Sequence, residues 1–219
     1  MPGNQRFIVG IDEAGRGPCI GPLVITAYVI PTTKIDTLKK LGVQDSKKLS
    51  SLKREYLYPK LLKLSAKCYT KKVLPKEIDS FGLTSLCLSA ITELLLKVHK
   101  SSLRISCLYI DSLGALAKKL FCQYIHSEVF DKTGYSYDIV YEPKADDTYP
   151  VVSAASVIAK VTRDREIIKL HKVVGYDFGS GYPNKKTESF IASYFRETGA
   201  LPYGTRRKWR NVQAIIQKP

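Results

Sequence analysis

Five short strand-like segments, most of them apolar runs and one read from alternation, each ending near an acid, a proline or a turn, constrain this chain most. The first, residues 6–11 (RFIVGI), carries β-branched residues and empties into Asp12, Glu13 and a glycine-rich turn, as a buried strand entering a loop does. Residues 23–30 (LVITAYVI) form a second predicted strand, stopped by Pro31. Residues 67–74, 103–110 and 137–141 supply three more. Between them the apolar spacing becomes helical: residues 50–65, then about 76–97 with an interruption near Gly82, then 113–130, then 149–173 with Pro150 in the first turn. A loop at 179–183 and a helix at 187–197 precede a basic tail. Strands alternating with helices in this order predict an α/β fold, a mixed sheet covered by helices. If a boundary exists, it falls near 174–181, dividing a core from a small C-terminal appendage.

The ends of these strands gather acids. Asp12 closes the first strand and Glu13 follows it, Asp111 closes the fourth, and Asp146 lies between the fifth strand and the long helix. Carboxyl ends of neighbouring parallel strands converge on one crevice, where α/β sheets keep their sites. Several carboxylates there raise one another's pKa unless a cation neutralises them, and hard divalent ions take oxygen ligands. Each acid alone could equally be a turn or capping residue. Adjacent strand residues also point to opposite faces, so Asp12 and Glu13 share a site only if the strand ends at Asp12 and the chain turns there.

Charge adds a partner class. Thirty-five Lys and Arg against 20 Asp and Glu give a net charge of +15, a field that attracts polyanions. Arg206-Arg207-Lys208-Trp209-Arg210 sets an aromatic within a basic run, a mixture suited to phosphates and to sugar or base. The five cysteines are widely spaced with no CxxC pair, which disfavours zinc and fits free thiols in a reducing cytosol. No apolar stretch spans a bilayer and the first residues lack the organisation of an export signal, so the expectation is a cytoplasmic protein with no membrane association. No interface signal stands out, and a monomer is expected.

Asp12-Glu13-Ala14-Gly15-Arg16-Gly17-Pro18, followed by Gly21-Pro22, resembles the opening motif of the type 2 ribonucleases H. Asp45-Ser46-Lys47-Lys48-Leu49, Lys144-Ala145-Asp146, Tyr149-Pro150-Val151-Val152-Ser153-Ala154-Ala155-Ser156 and Ala159-Lys160-Val161-Thr162-Arg163-Asp164 resemble later family motifs in the right order. Gly179-Ser180-Gly181-Tyr182-Pro183 is similar to a loop of archaeal-type members, and the matches run from residue 8 to about 210.

The resemblance implies a ribonuclease H-like fold: a five-stranded mixed sheet flanked by helices, residues 1–175, with a C-terminal helical appendage, 176–219, that helps hold substrate. It implies hydrolysis of the RNA strand of RNA/DNA hybrids and incision at ribonucleotides embedded in duplex DNA, as in ribonucleotide excision repair. Two Mg²⁺ or Mn²⁺ ions would act, leaving 5′-phosphate and 3′-hydroxyl ends. Asp12, Glu13, Asp111 and Asp146 would be the catalytic metal ligands, with Asp12 bridging both ions and Asp146 on the side that activates water. Gly15, Arg16 and Gly17 would read the ribose 2′-OH, Tyr182 would stack on the next sugar, and Lys47 and Arg16 would contact phosphates.

For Lys48, Lys160 and Arg163 a solvated face is as good a reading as binding. Asp147 beside Asp146, Cys19, and Asn184-Lys185-Lys186-Thr187 depart from or blur the family pattern. The competing classes are a DNA-only nuclease of the same fold, which would have no 2′-OH to read, and a non-catalytic hybrid-binding module.

Overall fold

The computed structural model describes residues 5–43, 49–114 and 116–217. Five strands, β1 (Phe7–Ala14), β2 (Leu23–Pro31), β3 (Lys67–Val73), β4 (Ile105–Asp111) and β5 (Asp138–Glu142), form one sheet in the order β3-β2-β1-β4-β5. β1 pairs antiparallel with β2 and parallel with β4, and β4 runs parallel to β5. The sheet is mixed, and its three parallel strands end on one rim.

Helices cover both faces. They are α1 (Ile35–Lys40), α2 (Ser51–Leu64), α3 (Pro75–Ser80), α4 (Leu83–His99), α5 (Lys118–Ile125), α6 (Asp131–Thr133), α7 (Ala145–Thr148), α8 (Pro150–Val174), α9 (Lys185–Thr198) and α10 (Arg210–Ile216). Double coverage explains why β2 is buried along all nine residues and reads as an unbroken apolar run. Val9 and Ile11 point into one core with Ile91, Leu94 and Leu95 of α4 and Phe121 of α5. Ile8, on the opposite face, packs in a second core with Leu57 and Leu61 of α2 and the apolar start of α8.

The long helix lies very close to β1. A Cβ on Gly10 would stand 2.3 Å from the Val151 carbonyl oxygen, so only glycine admits this approach. Ser153, Ala154, Ala155 and Ala159 keep the same stretch of α8 slender. A third apolar cluster joins α9 and α10, through Phe190, Ile191 and Val212, to Ile167 of α8 and to Cys19 and Ile20. No helix among the described residues is long and apolar enough to cross a membrane.

Two features differ from the sequence-based expectation. β1 does not stop at Asp12; it continues to Ala14, with Asp12 opposite Thr26 and Glu13 opposite Ile25. The helix predicted from residue 113 begins only at Lys118. Upstream, the Tyr141 hydroxyl accepts from the Leu113 N–H (2.7 Å) and donates to the Leu116 carbonyl (3.0 Å), diverting groups a helix would use. The basic tail, for which the sequence suggested no particular element, holds helix α10, with Val212 fully buried.

Gly10→Ala should lower the unfolding free energy by about 2 kcal/mol, the usual scale of overpacking. Urea denaturation would measure it, and an unchanged midpoint would contradict so close a contact.

Candidate active site

The four acids picked out in the sequence lie on the rim where β1, β4 and β5 end, and the sheet delivers them from different sides. Asp12 lies on the face covered by α8, where the Ser156 hydroxyl donates to its carboxylate and Lys160 adds positive charge. Lys160 Nζ in turn donates to Ser156 Oγ (2.7 Å), so Lys160 faces the site and is not merely a solvated helix residue. Glu13, one residue on, belongs to the α4 face, where Arg16 Nη1 lies 3.4 Å from Oε1. The expected turn at Asp12 is therefore unnecessary. Alternation across the strand sends the two carboxylates to opposite sides of the rim, still close enough to repel each other.

Asp111 ends β4. Its carboxylate accepts the backbone N–H of Ser112 (2.8 Å) and those of Lys144 and Ala145. Lys144 is one of two non-glycine residues with positive φ among those described (φ 58), held in a left-handed turn that starts α7. Asp111 thus anchors the turn that presents Asp146. Asp146 is buried and Asp147 is exposed, which separates the neighbouring acids. The Ser153 hydroxyl donates to the Asp146 carbonyl, tying α7 to α8.

Burial and mutual repulsion leave their mark. Burial first, and then the charge of Glu13, push the Asp12 carboxyl well above its usual range. Glu13 is raised by burial against the opposing pull of Arg16, with Asp111 and Asp146 adding to the rise. Asp111 is raised by burial and by Asp146. Among the described residues no three His, Cys, Asp or Glu side chains are gathered closely enough to hold a metal ion by themselves. The donor set still fits a hard cation. Mg²⁺ binds through one or two carboxylates and otherwise keeps water or takes phosphate oxygens, and the repulsion here is what a cation relieves.

Beside the acids, the loop Gly15-Arg16-Gly17 is fastened by two residues of the basic run that the sequence marked only for contact with polyanions. Arg206 is fully buried and donates to the carbonyls of Gly15 (2.5 Å), Arg16 (2.8 Å) and Gly21 (3.1 Å). Trp209 Nε1 donates to the Gly17 carbonyl (3.3 Å), and its ring lies 5.1 Å from the Arg206 guanidinium carbon. These two members of the basic run therefore serve the loop's backbone, while Arg207, Lys208 and Arg210 remain exposed. Burial lowers the Arg206 pKa to about 10, so it is cationic at neutral pH. Asp79 of α3 anchors the same segment by accepting the N–H groups of Arg207 and Lys208 (2.8 and 3.0 Å).

Arg163 is also buried. It donates to the Ser180 carbonyl (2.5 Å) and underlies the exposed Tyr182, 4.9 Å from its ring centre, so the solvated-face alternative fails for it. Lys47 and Lys48 lie outside the described residues. His171 Nε2 lies 2.9 Å from the Gly179 carbonyl, and His99 stacks on Tyr135 and Tyr137 far along α4.

A mixed five-stranded sheet in this order, with acids where its parallel strands end, defines a ribonuclease H-like hydrolase. The family model for ribonuclease HII matches residues 9–212. Ribonuclease HII of Pyrococcus horikoshii is 39% identical over 214 residues, covering 96% of this chain and 93% of that protein. The enzyme of Methanococcus maripaludis is 38% identical, covering 98% and 89%. The crystal structure of ribonuclease H2 from Pyrococcus horikoshii superposes with a TM-score of 0.85 at 38% identity, covering 96% of this chain and 97% of that one. Ribonuclease HII of Archaeoglobus fulgidus, solved in complex with PCNA, gives 0.81 at 35% identity, covering 97% and 98%. Bst-RNase HIII in complex with Mn²⁺ gives 0.82 at 21% identity, covering 97% and 71%, a likeness of fold alone. The chain belongs to the ribonuclease HII family, and with it to the ribonucleases H, hydrolases that cut the RNA of RNA/DNA hybrids.

The raised pKa of Asp12 gives a stability test with a definite sign. Its protonated form is favoured in the fold, so its stabilising contribution is present below the ordinary carboxylate pKa and lost as pH rises through the raised value. Asp12→Asn removes that loss. Without divalent cations the variant should melt higher than wild type at pH 8, by about 3 °C for each kcal/mol relieved, with the gap closing near pH 4. A gap of equal size at both pH values would contradict the repulsion argument.

Proposed function

We propose that the enzyme works by two-metal-ion hydrolysis, and that it cuts both long RNA/DNA hybrids and single ribonucleotides embedded in duplex DNA. The observation that carries this is the electrostatic coupling of Asp12, Glu13, Asp111 and Asp146 on the rim beside the Gly15-Arg16-Gly17 loop. These four acids are the proposed ligands of Mg²⁺ or Mn²⁺. When bound, the ions supply charge that offsets the carboxylates, activates the attacking water and stabilises the leaving oxygen.

The chain's own residues do the rest. Asp12 is oriented by Ser156 and by the Glu13 N–H (2.8 Å), and Asp111 by three backbone N–H groups, so neither carboxylate must reorganise on binding. Gly15 and Gly17 let the backbone approach the ribose, whose 2′-OH distinguishes RNA from DNA. Tyr182, backed by Arg163, offers its ring to the sugar on the far side of the junction. Arg16 and Lys47 contact phosphates, and the exposed Arg207, Lys208 and Arg210 extend the positive surface. Residues 1–175 act as the catalytic core and 176–219 as the substrate-holding appendage, in a monomer, and the cleaved ends are a 5′-phosphate and a 3′-hydroxyl.

With Mg²⁺ or Mn²⁺, a duplex carrying one ribonucleotide should be cut and its all-DNA counterpart left intact; equal cutting of both would remove the 2′-OH argument. Asp146→Asn should abolish cleavage while duplex affinity stays within about twofold of wild type, and that affinity should fall steeply with salt. Cleavage that survives the substitution would refute the ligand assignment.

A further inference from the structure

Arg206 has no place in the chemistry described so far, yet it is the largest fully buried side chain among the described residues. Burying a guanidinium is costly, and here no carboxylate among the described residues forms a salt bridge with it. Its partners are backbone carbonyls, three of them, which the rigid fork of donors can span and a single ammonium cannot. An apolar side chain could fill the same volume without the desolvation cost. What the arginine adds is control over where those peptide groups point.

The direction follows from peptide geometry. In a trans peptide the N–H points opposite to the carbonyl of the preceding residue, and no cis peptide occurs among the described residues. Arg206 holds the carbonyls of Gly15 and Arg16 on its own side, which turns the N–H groups of Arg16 and Gly17 the other way. Trp209 holds the Gly17 carbonyl, and the next residue, Pro18, has no N–H to present. The hydrogen bonds from Arg206 and Trp209 to Gly15, Arg16 and Gly17 all take carbonyls, so they consume none of the N–H groups of these three residues.

The same segment sets the loop against Tyr182. Arg206 N–H donates to the Cys19 carbonyl (2.8 Å), Gly21 N–H to Gly204 (2.9 Å), and Ile20 forms a bridge with Thr205. The N–H groups of Cys19 and Ile20 both reach the Gly181 carbonyl (2.8 and 3.2 Å), one residue before Tyr182. A Cβ on Gly181 would lie 2.3 Å from the Ile20 carbonyl oxygen, so the two strips of backbone are locked at a distance only glycine permits.

We propose that Arg206, assisted by Trp209, is a positioning residue for ribose recognition: it clamps the carbonyls of Gly15 and Arg16 so that the N–H groups of Arg16 and Gly17 face the 2′-oxygen in register with Tyr182. This rests on the reading of Gly15-Arg16-Gly17 as the ribose-sensing loop. It assigns to the C-terminal segment a second role beside holding the duplex, as the template against which the sensing loop takes its shape.

The test uses the full chain with Mg²⁺, a duplex carrying one ribonucleotide, and an otherwise identical all-DNA duplex. Arg206→Lys keeps the charge but cannot span three carbonyls. Single-turnover cleavage at saturating enzyme should fall by about 10²-fold, the scale of a small misplacement at a reacting centre. Affinity for the all-DNA duplex should stay within about twofold, and Mg²⁺ should still raise the melting temperature as in wild type. A folded variant with wild-type cleavage overturns the proposal, as does loss of the Mg²⁺ response, which would place the defect at the acids. If Arg206→Lys does not fold, Trp209→Phe decides: it deletes only the donor to Gly17 and keeps a ring, and about a tenfold loss of cleavage is expected. Undiminished cleavage by that variant overturns the proposal. If wild type itself cuts the all-DNA duplex equally, it is the ribose-sensing reading that fails.

Discussion

Burying carboxylates side by side at the end of a sheet is unfavourable, and much of this structure serves to make it tolerable. Asp12 is almost wholly removed from water on a central strand, next to Glu13 and within the field of Asp146. The compensation is local and polar: Ser156 and Lys160 from α8 on one side, Arg16 on the other, backbone N–H groups around Asp111. None of it offsets burial and mutual repulsion fully, and the carboxyls of Asp12, Glu13 and Asp111 stay raised, first by burial and then by the charge of neighbouring acids. Such a rim is stable only because the strands beneath it are deeply buried between two helical layers. The close approach of α8 over Gly10 sets how near Ser156 and Lys160 come to Asp12.

A second buried charge lies next door and is handled in the opposite way. Arg206 meets carbonyl dipoles where a carboxylate would be expected, so its cost is met by fixing backbone in place. The acids are left with mutual repulsion that the protein does not fully offset. The arginine spends its donors on the protein. Arg163 is a third buried cation in the same neighbourhood, braced against Ser180 and under Tyr182. The acids and the Gly15-Arg16-Gly17 loop thus rest on largely different interactions, linked by the chain from Glu13 to Gly15 and by the Arg16–Glu13 contact.

The fold was largely legible because its signals are local. Apolar runs marked most of the strands, alternation marked β3, and Pro150 marked the start of α8. The four acids were legible as candidates because each falls at or shortly after the end of an apolar run. The start of α5 was misjudged because Tyr141, distant in sequence, takes the backbone groups of Leu113 and Leu116. The geometry of Asp12 and Glu13 was misjudged for a similar reason: a rim can be reached from both faces of a sheet, which strand alternation alone does not reveal.

The basic run near the C-terminus separates the two kinds of information most clearly. Its composition identified a cationic segment with an aromatic, and so a partner class of polyanions. Composition could not distinguish Arg206 from Arg207, although one is fully buried and the other is exposed. By itself the sequence determined the strand and helix pattern, the acids available for a cation, and the glycines that permit close backbone approach. Only the tertiary structure decided which arginine faces inward and which carbonyls it holds. A hydrogen bond between residues some 190 positions apart leaves no periodic or local trace, because it exists only once the chain has packed.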